Sequence, residues 1–152
     1  MQKALTFMSD SRLEVSECGD ILVVEDDDAI RRLLGVSLQH HGMRASLARD
    51  GVEAIEALQQ RRYRVVVLDL MMPRVSGWDV IAWLRDNNDA KPRTVIVVSA
   101  SNREVMDELD PTVVNAIIFK PFNIDELTGY VTACCRATVA ADRRVKRLVG
   151  TL

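Results

Sequence analysis

Hydrophobic positions along this chain follow two alternating rhythms. Four short runs are apolar at nearly every position and rich in β-branched residues: Ile21-Leu22-Val23-Val24, Val65-Val66-Val67-Leu68, Thr94-Val95-Ile96-Val97-Val98 and Ala116-Ile117-Ile118-Phe119. Such runs read as parallel strands covered on both faces, because a strand with one wet face alternates instead. Met43 to Ala48 fits a shorter second strand. Between the runs the period becomes helical. Ile30, Leu33, Leu34 and Leu38 mark one face of a first helix, with Gly42 as its left-handed cap. Val52, Ile55 and Leu58 mark a second helix, ending near Gln60, and Val80, Ile81 and Leu84 a third. A fourth of about nine residues starts at Ser101 and stops before Pro111. The fifth begins near Asn123, an N-cap with Glu126 three residues on. Strict alternation of strand and helix predicts an α/β fold, a doubly wound parallel sheet with right-handed crossovers. If strands two and three flank strand one, the order is 2-1-3-4-5, with the switch point between strands one and three.

Each strong strand ends in polar chemistry. The first runs into Glu25-Asp26-Asp27, the third ends at Asp69, the fourth at Ser99 and the fifth at Lys120-Pro121. Ligands of open α/β sheets bind at the carboxyl ends of strands, and the order 2-1-3-4-5 would bring Glu25, Asp26 and Asp69 together. One close carboxylate pair costs on the order of 4 kcal/mol at an effective dielectric of 20. A divalent cation offsets that cost, and oxygen ligands suit Mg²⁺. Lys120 and Ser99 add an ammonium and a hydroxyl. Together these are the parts needed for phosphoryl transfer to an aspartate. Asp27 or Asp28 suits the N-cap of the first helix, whereas capping does not explain Glu25 at a strand end. Ser99 or Lys120 alone would mean little; their convergence on Asp69 is the signal. His40-His41 fits a helix end favoured by the dipole, and Trp78 and Trp83 flank the apolar stripe of helix three as packing residues.

Composition narrows the class without naming it. A chain of 152 residues with 48% hydrophobic content fits one compact domain. A net charge of -2 gives no whole-molecule case for nucleic acid or an anionic membrane. No apolar stretch approaches the roughly 18 residues of a membrane span, and the N-terminus makes a poor secretory signal, so a cytoplasmic location is expected. Cys18, Cys134 and Cys135 lack metal-ligand spacing and read as reduced structural thiols.

With these residues in order, the chain resembles a response-regulator receiver domain of two-component signalling, over about residues 20–137. The matching motifs are Glu25-Asp26 after ILVV, Asp69 ending VVVLD, Met71-Met72-Pro73 with Gly77 beyond, Ser99-Ala100 after VIVV, and Lys120-Pro121-Phe122. The resemblance implies a flavodoxin-like sheet and Asp69 as phosphoacceptor. It implies Mg²⁺, with Mn²⁺ as a substitute, held by Glu25, Asp26, Asp69 and the Met71 carbonyl. Ser99 becomes the switch hydroxyl, Lys120 the partner of the phosphoryl oxygens, and Lys120-Pro121 a cis peptide. The phosphoryl group would come from a histidine kinase or phosphotransfer protein. Output would be a protein target docking on the face of helix four, strand five and helix five, in a stand-alone switch rather than an enzyme, with no direct nucleic-acid or membrane binding.

Residues 1–19 then read as a flexible tail, and 138–152 as a basic helical extension or tail that either frays or serves a partner, a dimer or an anionic surface. Departures from the family concern transmission. Ile117 stands where receivers usually carry Tyr or Phe, with Phe119 a weak substitute on the same strand face, next to Pro121 of the switch region. Met71 and Ser101 offer no carboxylate or carboxamide to orient an attacking water, so the acyl phosphate should not hydrolyse especially fast. The alternative reading is a phosphorylation-independent pseudo-receiver that binds partners constitutively. A haloacid-dehalogenase-type enzyme fits worse, because its second acid would fall at Met71.

Overall fold

The computed structural model describes residues 20–100 and 103–149. Its elements alternate as β1 (Asp20–Val24), α1 (Asp28–His40), β2 (Arg44–Ala48), α2 (Gly51–Gln60), β3 (Val65–Asp69), α3 (Gly77–Asp86), β4 (Thr94–Ser99), α4 (Arg103–Glu108), β5 (Ala116–Phe119) and α5 (Ile124–Val149), with a 3₁₀ turn at Asn88–Ala90. The five strands form one sheet in the order β2-β1-β3-β4-β5, and every pairing is parallel. No helix among the described residues is long and apolar enough to cross a membrane.

Two cores follow from strand alternation. Leu22, Val24, Val66, Leu68, Val95 and Val97 point to one face and pack with Ala54, Leu58, Val80, Ile81 and Leu84 of α2 and α3. Ile21, Val23, Val65, Val67, Ile96 and Val98 point to the other and meet Leu34 and Leu38 of α1 and Leu127, Val131 and Cys135 of α5. Residues on β1, β3 and β4 are covered on both sides, which is why those runs are continuously apolar.

Several local expectations change. In α1, Leu34 and Leu38 are buried, but Leu33 is 52% exposed and lies beside the packed stripe rather than in it. In α2 the buried residues are Gly51, Ala54 and Leu58, not Val52; Gly51 is covered by Val75 of the loop after β3, whose carbonyl accepts from the Gly51 N–H. The described part of α4 has six residues rather than about nine, and Ser101 lies outside the described residues. A turn follows, in which the Asp110 carboxylate accepts from the Thr112 backbone and hydroxyl. Gly42 does adopt a positive φ, Asp27 caps α1, and Asn123 accepts from the N–H groups of Asp125 and Glu126. The reciprocal capping box, however, belongs to Ser76 and Asp79 at α3. Cys134 is a free thiol and Cys135 is fully buried. Cys18, like the rest of the 1–19 segment, lies outside the described residues.

Helix α5 continues to Val149. Val139 is buried, and the Asp142 carboxylate accepts from Arg64 Nη1 at 2.8 Å and Arg93 Nη2 at 3.0 Å. Those arginines precede β3 and β4, so the helix is fastened across the amino-terminal edge of the sheet. At the opposite edge, the loop after β3 is drawn tight. A Cβ on Gly77 would lie 2.3 Å from the Asp69 carbonyl oxygen and 2.7 Å from Leu70 Cα, which no side chain can share. The buried Asp50 carboxylate caps α2 and also binds Arg74, the non-glycine residue of positive φ in that loop. Gly77→Ala should therefore destabilise the protein by about 1–3 kcal/mol, the usual range for overpacking, as measured by urea unfolding.

Candidate functional site

Strand register builds the site. Val24 pairs with Leu68, so the next residue, Glu25, lies beside Asp69. Both carboxyl groups are only 3% exposed, while Asp26 reaches solvent. One carboxylate oxygen from each of Glu25, Asp26 and Asp69 lies within 4.8 Å of the others. Lys120 reaches over from the end of β5, its Nζ donating to Glu25 Oε2 at 3.2 Å and to Asp69 Oδ2 at 3.3 Å. The Lys120–Pro121 bond is cis. The Lys120 backbone N–H donates to the Ser99 carbonyl at 2.8 Å, joining the ends of β4 and β5. Ser99 is 1% exposed on the same edge, one residue past the Asp69–Val98 pair.

The two buried carboxylates are oriented alike. Met71 N–H donates to Asp69 Oδ1 at 3.1 Å, leaving Oδ2 toward Lys120. Asp27 N–H donates to Glu25 Oε1 at 3.2 Å, leaving Oε2 toward the same ammonium. Each acid thus has one oxygen fixed by backbone and one shared with Lys120. The sequence reading does not single out Arg31, yet its guanidinium donates from Nη1 to the backbone carbonyls of Glu25 (2.9 Å) and Asp26 (3.4 Å) and pairs through Nη2 with Asp28. The neighbouring Arg31-Arg32 looks like an ordinary polar helix face, and only the i+6 spacing from Glu25 hints at a return to the loop.

Electrostatically the site is short of positive charge. Burial, with the Asp69 charge adding to it, pushes the Glu25 carboxyl up to about 7, against the Asp27 N–H and Lys120. Burial also raises Asp69, opposed by the Met71 N–H and by Lys120. For Lys120, burial acts to lower the pKa, but the Asp69 and Glu25 charges outweigh it and raise it. Among the described residues, a cluster of three carboxylates is met by the Lys120 ammonium on Glu25 and Asp69, and hard oxygen donors in surplus negative charge are the donor set that suits Mg²⁺ or Mn²⁺. The residues present therefore fit such an ion.

On β5, Ile117 is partly buried and packs against the α2/α3 core, while Phe119, on the same strand face, is 41% exposed. Pro121 is exposed beside it, and the Met71 side chain also faces solvent.

The raised Glu25 pKa has a definite sign. Between the unfolded value near 4.5 and the folded value near 7, the folded state holds a proton that the unfolded state has released, so stability falls as pH rises through that window. The raised Asp69 works in the same direction. In EDTA, the melting temperature should drop between about pH 5 and 7.5, and Glu25→Gln should flatten the drop; thermal melts across pH check both.

The chain matches the family model for the response regulator receiver domain over residues 21–132. It is 40% identical over 118 residues to the response regulator MprA of Mycobacterium sp. (strain KMS), covering 78% of this chain and 51% of that protein. With MprA of Mycobacterium ulcerans (strain Agy99) it is 39% identical over 122 residues, covering 80% and 52%. The chain thus spans about half the length of these curated relatives. Among solved structures, the receiver domain of the Francisella response regulator 1452 superposes with a TM-score of 0.72 at 30% identity, covering 79% of this chain and 98% of that one. The Thermotoga maritima response regulator TrrA, solved in complex with Mg(2+)-BeF, gives a TM-score of 0.65 at 31% identity, covering 76% and 98%. The family match runs from the first strand into the last helix and takes in the whole charged edge: this chain belongs to the response regulator receiver domain family of two-component signalling.

Proposed function

We propose that this chain is a phosphoacceptor switch in which Asp69 takes a phosphoryl group in a Mg²⁺-dependent reaction. The observation that carries the reading is the Lys120 ammonium bridging Glu25 and Asp69 beside a third carboxylate, Asp26. A buried aspartate with one oxygen held by a backbone N–H presents a fixed nucleophile. In transfer from a phosphohistidine, an Asp69 oxygen bonds to phosphorus, the phosphorus–nitrogen bond breaks, and the leaving imidazole takes a proton from solvent. Glu25, Asp26, Asp69 and the Met71 carbonyl would hold the divalent ion, which when bound supplies charge neutralisation for the incoming phosphoryl oxygens. Lys120, already in contact with Asp69, turns from the carboxylate to the phosphoryl oxygens, and the Ser99 hydroxyl follows from the end of β4.

The donor is a histidine kinase or a phosphotransfer protein, and the response is a changed affinity for a protein target on the α4-β5-α5 face, or for a second copy. Movement of Ser99 and Lys120 would reach that face through β5, where Ile117 repacks against the core and Phe119 stands exposed. With a thioether at Met71, no group at that position orients water, so the acyl phosphate persists rather than being cleared quickly.

A second reading, a constitutive pseudo-receiver, draws on one observation: β5 places an aliphatic Ile117 against the core and leaves its aromatic Phe119 outside. Intact-mass spectrometry after incubation with Mg²⁺ and a small acyl-phosphate donor separates the two. One phosphoryl adduct is expected on wild type and none on Asp69→Asn, which should fold and, lacking the Glu25–Asp69 repulsion, melt no lower than wild type in EDTA. No adduct from either the small donor or a cognate kinase would leave the pseudo-receiver reading standing.

A further inference from the structure

Resting on the phosphoacceptor reading of the site, we infer that Arg31 is a positioning residue for the metal-binding acids: it fixes the β1–α1 loop so that Glu25 is held ready for the divalent ion. The side chain is 12% exposed although it carries a full charge. It lies one turn into α1 and folds back so that Nη1 donates to both the Glu25 carbonyl and the Asp26 carbonyl, with Nη2 anchored on Asp28. The sheet gives these two carbonyls no partner among the described contacts. An arginine fork supplies two directed donors together with its ion pair, which a lysine point charge cannot do.

The consequence runs through one peptide plane. The Asp26–Asp27 bond is trans, and in a planar trans peptide the carbonyl and the following N–H point in opposite directions. Drawing the Asp26 carbonyl toward Arg31 therefore aims the Asp27 N–H the other way, and that N–H donates to Glu25 Oε1 at 3.2 Å. Glu25 is thereby turned so that Oε2 faces Lys120 and Asp69. Arg31 touches neither the carboxylates of the metal-compatible triad nor Lys120; its effect on them is relayed by backbone. The same contacts keep its positive charge on the far side of the loop, neutralised by Asp28, rather than in competition with a bound cation. Without the guanidinium, the loop between the last β1 residue and the Asp27 cap gains rotational freedom, and part of the ion's binding energy must reorder it.

The experiment is calorimetric titration of the whole chain with Mg²⁺ alone, in wild type, Arg31→Lys, Arg31→Met and Asp28→Asn. Arg31→Met should raise the Mg²⁺ Kd about tenfold, the lower end for partners that orient metal ligands. Arg31→Lys should fall between Arg31→Met and wild type, and Asp28→Asn, which frees the guanidinium, should shift the Kd in the same direction. In phosphorylation assays the Mg²⁺ concentration for half-maximal rate should rise in parallel while the rate at saturating Mg²⁺ changes little. A merely structural arginine would lower the metal-free melting temperature and leave the Kd where it was. A folded Arg31→Met with a Kd within about twofold of wild type would overturn the inference. If that variant does not fold, unchanged affinity in both Arg31→Lys and Asp28→Asn does the same. Wild type that fails to bind Mg²⁺ would sink the reading of the site itself; wild type that binds and is phosphorylated, with variants that match it, sinks only the role of Arg31.

Discussion

One ammonium holds together an edge that would otherwise repel itself. Glu25 and Asp69 are both nearly excluded from solvent and lie side by side at the ends of adjacent strands, and Lys120 donates to both. Buried charges are tolerated only when paired and hydrogen-bonded, so the positions of β1, β3 and β5 are linked through this contact. Lys120 lies 95 residues from Glu25 and 51 from Asp69 in sequence, so the pairing exists only in the folded chain. The compensation is incomplete, since burial still raises both acids, and the residual negative charge is of the kind that suits a dication.

The fold's remaining features serve to keep those acids in place. A parallel sheet brings all its carboxyl ends to one edge, and apolar cores on both faces make the strands rigid. The loop after β3 is pressed onto Asp69 by Gly77, whose missing side chain lets backbone approach backbone, and is tied to α2 through Asp50 and Arg74. The loop after β1 is held by Arg31 from within α1. Each acid is thus gripped from behind by its own loop and leaves one oxygen facing the pocket.

The opposite edge carries a different device. Asp142, in the part of α5 beyond the matched family segment, clasps Arg64 and Arg93 and seats Val139 against the protein. The helix is therefore fastened to the same domain that β5 and the charged edge belong to. The curated relatives extend to about twice the matched length, and α5 is the described element that reaches farthest past the matched segment.

Much of this was legible in the residues. Continuous apolar runs identified β1, β3, β4 and β5, helical periodicity identified the helices, and the polar residues closing the strands identified the groups that lie along the charged edge, because these signals are local in the chain. Stripe boundaries were less legible: Leu33 and Val52 are apolar yet exposed, while Gly51 and Ala54 are small and buried, since burial depends on what packs over a position, as Val75 does over Gly51, and not on hydrophobicity alone. The arginines were the least legible, because Arg31, Arg64, Arg74 and Arg93 look like any solvated cation until a carbonyl or carboxylate is brought to them. The chain by itself determined which elements form and which reactive groups they carry; the tertiary structure decided which groups meet, which oxygen of each acid faces the pocket and how far burial shifts its proton affinity, because those depend on contacts between residues far apart in sequence and on exclusion of water.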